Sequence, residues 1–222
     1  MKLLLFDIDG TLLKPLGVGK KAFIKALEKR YGKIKNIPNF AYDGLLDIEI
    51  VNKSLEMMGV KATEEEKKQI IKNYVLNLKF EIPENVEEWL CPNVPLILEK
   101  AKERKFALSV VTGNVKDAGL IKLSSVKLDH FFPTGAFGDD ADERWKLVNI
   151  AKNKAEKVYN KKFKMEETFV IGDSLKDVYA ARKNGAKAVS VATGLTPYEK
   201  LKEANPDYIL RNFLDTSFLD EI

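Results

Sequence analysis

Short, continuous apolar runs punctuate the chain at 3–6, 106–111, 168–171 and 188–191. Runs of this length, bounded by polar and glycine-containing loops, read as strands buried on both faces of a parallel sheet. Segments with helical spacing lie beside them, at 94–104, 115–124, 144–159 and 175–184. Strands that alternate with helices require right-handed crossovers, which lay helices on both faces of the sheet. The expected fold class is therefore α/β.

Residues 19–79 break that rhythm. Ala22, Phe23, Ala26, Leu27 and Tyr31, then Ile50, Val51, Leu55 and Met58, recur at helical spacing with no strand between them. Pro15, Gly17 and Gly19 stand at the entry and Pro83 and Pro92 around the return, which makes both edges candidate hinges. The expected division is an α/β core of residues 1–14 plus 89–222 and an all-helical cap of residues 15–88. A chain of 222 residues, 45% hydrophobic, has enough apolar material for a core with an insertion.

Charge and cysteine content narrow the setting. The net charge of +4 comes from 37 basic and 33 acidic residues. The lysines are scattered along helical patterns, as at Lys20-Lys21 and Lys67-Lys68, and read as solvated helix faces. No basic stripe interleaved with aromatics speaks for nucleic acid. The apolar run before Asp7 is too short for a signal-peptide core or a membrane span, and no other segment reaches spanning length. Cys91 is the single cysteine, so no internal disulfide forms, and a reducing compartment, the cytoplasm, is expected. The expected assembly is a monomer or homodimer.

Three polar clusters follow predicted strands: Asp7-Ile8-Asp9-Gly10-Thr11, Thr112-Gly113-Asn114 and Gly172-Asp173-Ser174. Taken singly, each is explained as a turn or a helix N-cap. Their shared position matters more, because ligands of open α/β sheets sit beyond the carboxyl ends of the strands. Gathering Asp7, Asp9 and Asp173 costs several kcal/mol of repulsion unless a cation lies among them. All-oxygen ligation suits magnesium. A carboxylate beside a metal, next to hydroxyl and N–H donors, is matched to a phosphoryl group that an aspartate attacks in line, forming an aspartyl-phosphate. Asp9 could then protonate the leaving alcohol and later deprotonate the attacking water.

Extended to Val110-Val111-Thr112-Gly113-Asn114 and Gly172-Asp173-Ser174-Leu175-Lys176-Asp177, these clusters resemble the first, second and fourth signatures of the haloacid dehalogenase superfamily. Their order and spacing span nearly the whole chain. The resemblance implies a Rossmann-like core with Asp7 as nucleophile and Asp9 as acid/base. It implies magnesium held by Asp7, the Asp9 carbonyl and Asp173, with Asp177 supporting the metal shell. Thr11, Thr112, Gly113 and Asn114 would bind the substrate phosphate. The third signature, a lysine or arginine at a helix start, is met loosely by Asp142-Glu143-Arg144-Trp145-Lys146-Leu147, which lacks the Lys-Pro of many relatives. An arginine after the acidic loop 137–142 is the closer pattern, so Arg144 is preferred to Lys146.

The insertion is similar to the first cap class of that superfamily, whose closure excludes water and selects substrate. Gly44-Leu45-Leu46-Asp47 stands where phosphoglycolate-phosphatase-like members carry Gly-basic-Thr-Asp, so a small acidic substrate loses one expected partner. Asp47 reads as a cap for the helix that follows it. His130, Trp89 and Trp145 read as packing residues, and 137–142 as an exposed turn, since the spacing of a calcium loop is missing. The expected function is magnesium-dependent hydrolysis of a small phosphorylated metabolite. Phosphoryl transfer to a sugar, as in β-phosphoglucomutase, and a non-catalytic binding module on the same fold stay open. So does a phosphonatase, which would use a cap lysine such as Lys20, Lys21 or Lys53. A dehalogenase is disfavoured, because carbon–halogen cleavage needs neither magnesium nor an acid at position 9.

Overall fold

Every side chain of strand β1 (Leu3–Phe6) is shut away from solvent, so the strand must be covered on both faces. Alternation along the strand divides its residues between two cores. Leu4 and Phe6 join Leu108, Val110, Phe169 and Ile171 in one, while Leu3 and Leu5 join Ala107, Val111, Val170 and Ala188 in the other. The computed structural model describes residues 1–35 and 37–222.

β1 is flanked by β2 (Ala107–Val111) and β4 (Thr168–Gly172). β3 (Gly135–Ala136), β5 (Lys187–Val191) and β6 (Tyr208–Leu210) complete a parallel sheet of order β3-β2-β1-β4-β5-β6. This is the doubly wound, Rossmann-like order, in which the chain changes direction beside β1. β3 and β6 were not anticipated from the sequence. At two and three residues they are too short to show a periodicity and are defined by the neighbours they pair with.

Helices α4 (Val94–Glu103), α5 (Lys116–Ser125), α6 (Lys146–Val158) and α7 (Leu175–Lys183) form the crossovers, followed by α8 (Tyr198–Glu203) and α9 (Phe218–Glu221). α4 contributes Ile97 and Leu98 to the first core, whereas α6 and α7 contribute Leu147, Ala151, Val178 and Ala181 to the second.

Between β1 and α4 lie α1 (Val18–Tyr31), α2 (Asp47–Met57) and α3 (Glu64–Glu81). They share a third apolar cluster that includes Phe23, Leu27, Val51, Leu55, Ile70 and Tyr74, and this cluster continues into Val115 and Ala118 at the start of α5. A capping box opens α3: the Glu66 N–H donates to Thr63 Oγ1 at 3.3 Å, and the Thr63 N–H donates to Glu66 Oε2 at 2.8 Å. The chain leaves and rejoins the sheet by paired segments. The Lys14 N–H donates to the Trp89 carbonyl at 2.7 Å, and the Cys91 N–H donates to the Leu12 carbonyl at 3.0 Å. Among the described residues no helix is long and apolar enough to cross a membrane.

Candidate active site

Asp7 follows β1, Thr112 follows β2 and Asp173 follows β4. Because Phe6 is in register with both Val110 and Ile171, the three loops emerge side by side. The Asp7 N–H continues the ladder by donating to the Ile171 carbonyl at 2.9 Å. The first loop then passes directly over Asp173. Gly10 has φ 82°, and a Cβ there would lie 2.4 Å from Asp173 Oδ2, so glycine is required on both counts.

One wall of the crevice carries the negative charge. Asp7, Asp173 and Asp177 are all buried, each offering a carboxylate oxygen within 4.8 Å of the others. Arg144 lies between two of them. Its Nη2 is 2.7 Å from Asp7 Oδ2 and 2.6 Å from Asp177 Oδ1. Thr11 Oγ1 donates to Asp173 Oδ1 at 3.1 Å. Asp177 Oδ2 accepts from the Ser174 N–H and hydroxyl at 3.1 and 2.7 Å, which also closes the start of α7. Lys146, by contrast, is half-exposed and turns to Asp142 and Glu143.

Two of these buried carboxylates share one guanidinium, and the proton affinities of Asp7 and Asp173 record the surplus of negative charge. Burial pushes the Asp7 carboxyl up to about 6 despite the opposing Arg144 charge, with Asp177 and Asp9 adding to the rise. Burial, then Asp7 and Asp177, drive Asp173 well above the usual carboxylate range. Burial opposes the charge on Arg144, but Asp177 and Asp7 outweigh it and hold the guanidinium more firmly protonated than usual. Surplus buried negative charge on oxygen ligands is what a hard divalent cation neutralises.

The other wall is organised by a lysine that sequence reasoning missed. Lys122 on α5 is 4% exposed. Its Nζ donates to Asp9 Oδ2 at 2.6 Å and to Asn114 Oδ1 at 2.7 Å. Asn114 Nδ2 donates to the same Asp9 oxygen at 2.7 Å and to Thr112 Oγ1 at 2.9 Å. The available signal was a lysine on the apolar face of a helix, since Lys122 shares the buried side of α5 with Ala118, Gly119 and Leu123. A basic residue in such a stripe needs a partner.

Residues 43–47 seat on the second strand-end loop. The Asp47 N–H donates to the Gly113 carbonyl at 2.9 Å, and a Cβ on Gly113 would lie 2.0 Å from the Leu45 carbonyl oxygen. Asp47 does not cap the helix it begins. Its Oδ2 accepts from the Val115 N–H at 2.8 Å and so caps α5, while Glu49 serves α2 by accepting from the Leu46 N–H. The reason is spatial: the start of α5 had an unpaired N–H within reach, and the start of α2 was already served. Burial pushes the Asp47 carboxyl up to about 6, tempered by Lys122 and the Val115 N–H. A cavity of about 470 Å³ is lined by both walls, by Asp7, Asp173 and Arg144 of the first and Asp9, Asn114 and Lys122 of the second, together with Phe23, Leu45 and Tyr74.

A family model described as haloacid dehalogenase-like hydrolase matches residues 4–191. The chain belongs to that family. The phosphoglycolate phosphatase of Mannheimia succiniciproducens is 27% identical, over 96% of this chain and 96% of its own length. The pyrophosphatase PpaX of Halalkalibacterium halodurans is 25% identical, over 95% of this chain and 93% of its own. The β-phosphoglucomutase structure from Clostridium difficile shares the fold, with a TM-score of 0.75 at 19% identity, covering 100% of this chain and 96% of that one.

Haloacid dehalogenase-like hydrolases generally use a divalent metal, and the Asp7, Asp173 and Asp177 cluster, short of positive charge, fits one. Residues of this hydrolase outside the crevice have other partners. His130 stacks on Phe131 with ring centroids 4.1 Å apart. Trp89 is buried in the first core, and Trp145 carries Lys183 Nζ 4.1 Å above its ring. In the loop 137–142, Asp139 Oδ1 accepts from the Lys116 N–H at 3.0 Å, which ties the turn to the start of α5.

Proposed function

We propose that this hydrolase cleaves small phosphate monoesters, with Asp7 as nucleophile, Asp9 as acid/base and magnesium as its cation. The observation that carries the reading is the charge-deficient set of Asp7, Asp173 and Asp177 around Arg144, at the end of the central strand and below a covered cavity.

Asp7 attacks phosphorus in line, and the phosphorus–oxygen bond to the leaving group breaks. The electron pair goes to the leaving oxygen, which takes a proton from Asp9. In the second half, water attacks phosphorus, Asp9 takes the water proton, and the bond between phosphorus and Asp7 breaks to release inorganic phosphate. Thr112 and the N–H groups of Gly113 and Asn114 hold the phosphate oxygens, aided by Arg144, while Thr11, buried with its hydroxyl donating to Asp173, steadies that carboxylate. Magnesium, held by Asp7, the Asp9 carbonyl and Asp173, would neutralise charge on the transferring group. Asp177, occupied by Arg144 and Ser174, supports that shell by holding the guanidinium in place.

Residues 15–88 act as the cap on a core of residues 1–14 plus 89–222, and seating of 43–47 over Gly113 excludes water from the crevice. The substrate class is a small phosphorylated metabolite of the cytoplasm, in line with relatives named phosphoglycolate phosphatase and pyrophosphatase. Leu45 and Leu46 add no cation to the cap loop, so an acidic substrate must find its positive partner among other lining residues such as Lys14 and Lys20.

The test is phosphate release from phosphoglycolate, pyrophosphate and sugar phosphates, with magnesium and after chelation. The Asp7→Asn variant should lose at least about a thousandfold in rate while melting as a folded protein. A near-parent rate for this variant would sink the nucleophile assignment, and undiminished turnover after chelation would sink the magnesium requirement.

A further inference from the structure

We infer that Lys122 is a positioning residue for Asp9, an inference that rests on the reading of Asp9 as the acid/base. Asp9 treats its two oxygens differently. Oδ2 receives both Lys122 Nζ at 2.6 Å and Asn114 Nδ2 at 2.7 Å. Oδ1 is buried and accepts no hydrogen bond among the described residues. Two donors thus fix Oδ2, and with it the orientation of the whole carboxyl group, whose side chain is still 36% exposed.

The clamp is closed on itself. Lys122 also donates to Asn114 Oδ1 at 2.7 Å, so each of the three side chains is bonded to the other two, and Thr112 Oγ1 anchors Asn114 from below. A lone lysine has a flexible four-carbon stem and locates nothing. Here the ammonium is buried and meets both partners, and the helix that carries it is secured at its start by Asp47 and in its later turns by Leu123 in the first core. A buried ammonium is strongly unfavourable unless it is paired, so Asp9 and Asn114 hold Lys122 as firmly as Lys122 holds them.

Proton transfer to a departing alkoxide is sensitive to displacements of a fraction of an ångström. A good leaving group needs no proton, whereas an alcohol does. Loss of Lys122 should therefore be felt according to the leaving group, which a merely structural lysine would not produce.

The experiment is single-turnover release of the leaving group, which isolates the first half-reaction, from glycerol phosphate and from p-nitrophenyl phosphate. Parent, Lys122→Met, Lys122→Gln, Asp9→Asn and the double variant of Asp9→Asn with Lys122→Met are compared. Lys122→Met should lose about a hundredfold on the alkyl ester and at least about tenfold less on the activated one. Lys122→Gln, which keeps a donor, should fall between it and the parent. The double variant should lose no more than Asp9→Asn alone, because the lysine acts through the aspartate, and this arm stands even where Lys122→Met folds poorly. Equal losses on both esters, no loss, or additive losses in the double variant would overturn the role of Lys122. If Asp9→Asn itself fails to separate the esters, the acid/base reading falls and takes the inference with it.

Discussion

Arg144 on one wall of the crevice bridges the carboxylates of Asp7 and Asp177, whereas Lys122 on the other meets one carboxylate and one amide. The guanidinium is a planar fork that can serve two acceptors from one position, and the ammonium is a point charge with three rotatable donors. The charge balance differs accordingly. The Arg144 wall holds Asp7, Asp173 and Asp177 against one positive charge, and on the Lys122 wall one ammonium meets Asp9 directly and Asp47 through space. The first keeps the larger surplus of buried negative charge, the kind that a further cation would neutralise. The difference makes the nucleophile side the better fit for a divalent cation and leaves Asp9 tied to the protein.

The most forceful way to break this comparison is Arg144→Met. It leaves Asp7 and Asp177 buried without their shared cation, so turnover should fall at least about a hundredfold, and metal-free stability by about 3 kcal/mol or more. Steady-state kinetics and denaturant melts check both, and activity within tenfold of the parent would show that the bridge is dispensable.

Asp47→Asn probes the opposite wall. The folded protein binds the Asp47 proton with a pKa of about 6, against the ordinary 3.8. Between about pH 4 and 6 the folded state therefore holds a proton that the unfolded chain has released, so the cost of the buried carboxylate grows as pH rises and levels off above 6. Asparagine keeps an oxygen for the Val115 N–H and carries no charge. Its stability relative to the parent should be near zero at pH 4 and rise to about 3 kcal/mol in favour of the variant at pH 7. A gap that stays flat with pH in urea titrations would mean that Asp47 is not a strained charge.

Gly113→Ala sharpens the junction of the two walls. Its Cβ would meet the Leu45 carbonyl at 2.0 Å, so residues 43–47 must lift and the bond from Asp47 to Gly113 is lost. A drop of about tenfold in kcat/KM is expected, equivalent to about 1.4 kcal/mol. An unchanged kcat/KM would show that this loop is not seated during turnover.

The strand-end clusters were legible because each is contiguous: Asp7 to Thr11, Thr112 to Asn114 and Gly172 to Asp177 need no distant residue to be recognised. Arg144 and Lys146 could be separated only by pattern, and the structure separates them by burial, 7% for the arginine side chain against 37% for the lysine. Leu45 was read as standing in place of a basic residue of the cap loop and Leu46 in place of a threonine, and the Leu46 side chain is fully buried with Leu3, Leu5 and Val111 in the second core. Asp47 was read against its own helix and serves another. Lys122 was passed over among many surface lysines, because Ala118 and Gly119, which share the buried side of α5 with it and Leu123, are too small to make that side conspicuous.

Alone, the sequence determined what is local: the buried strands, the crossover helices, the helical stretch between them and the acidic chemistry at the strand ends. Those follow from periodicity and from contiguous residue types, which act over a few positions. The tertiary structure decided which charges are shared. Asp9 and Lys122 are 113 positions apart and Arg144 and Asp177 are 33 apart, yet each pair is in hydrogen-bond contact. Ion pairing, desolvation and capping depend on distance through space, so no spacing along the chain encodes them until the sheet brings the loops together.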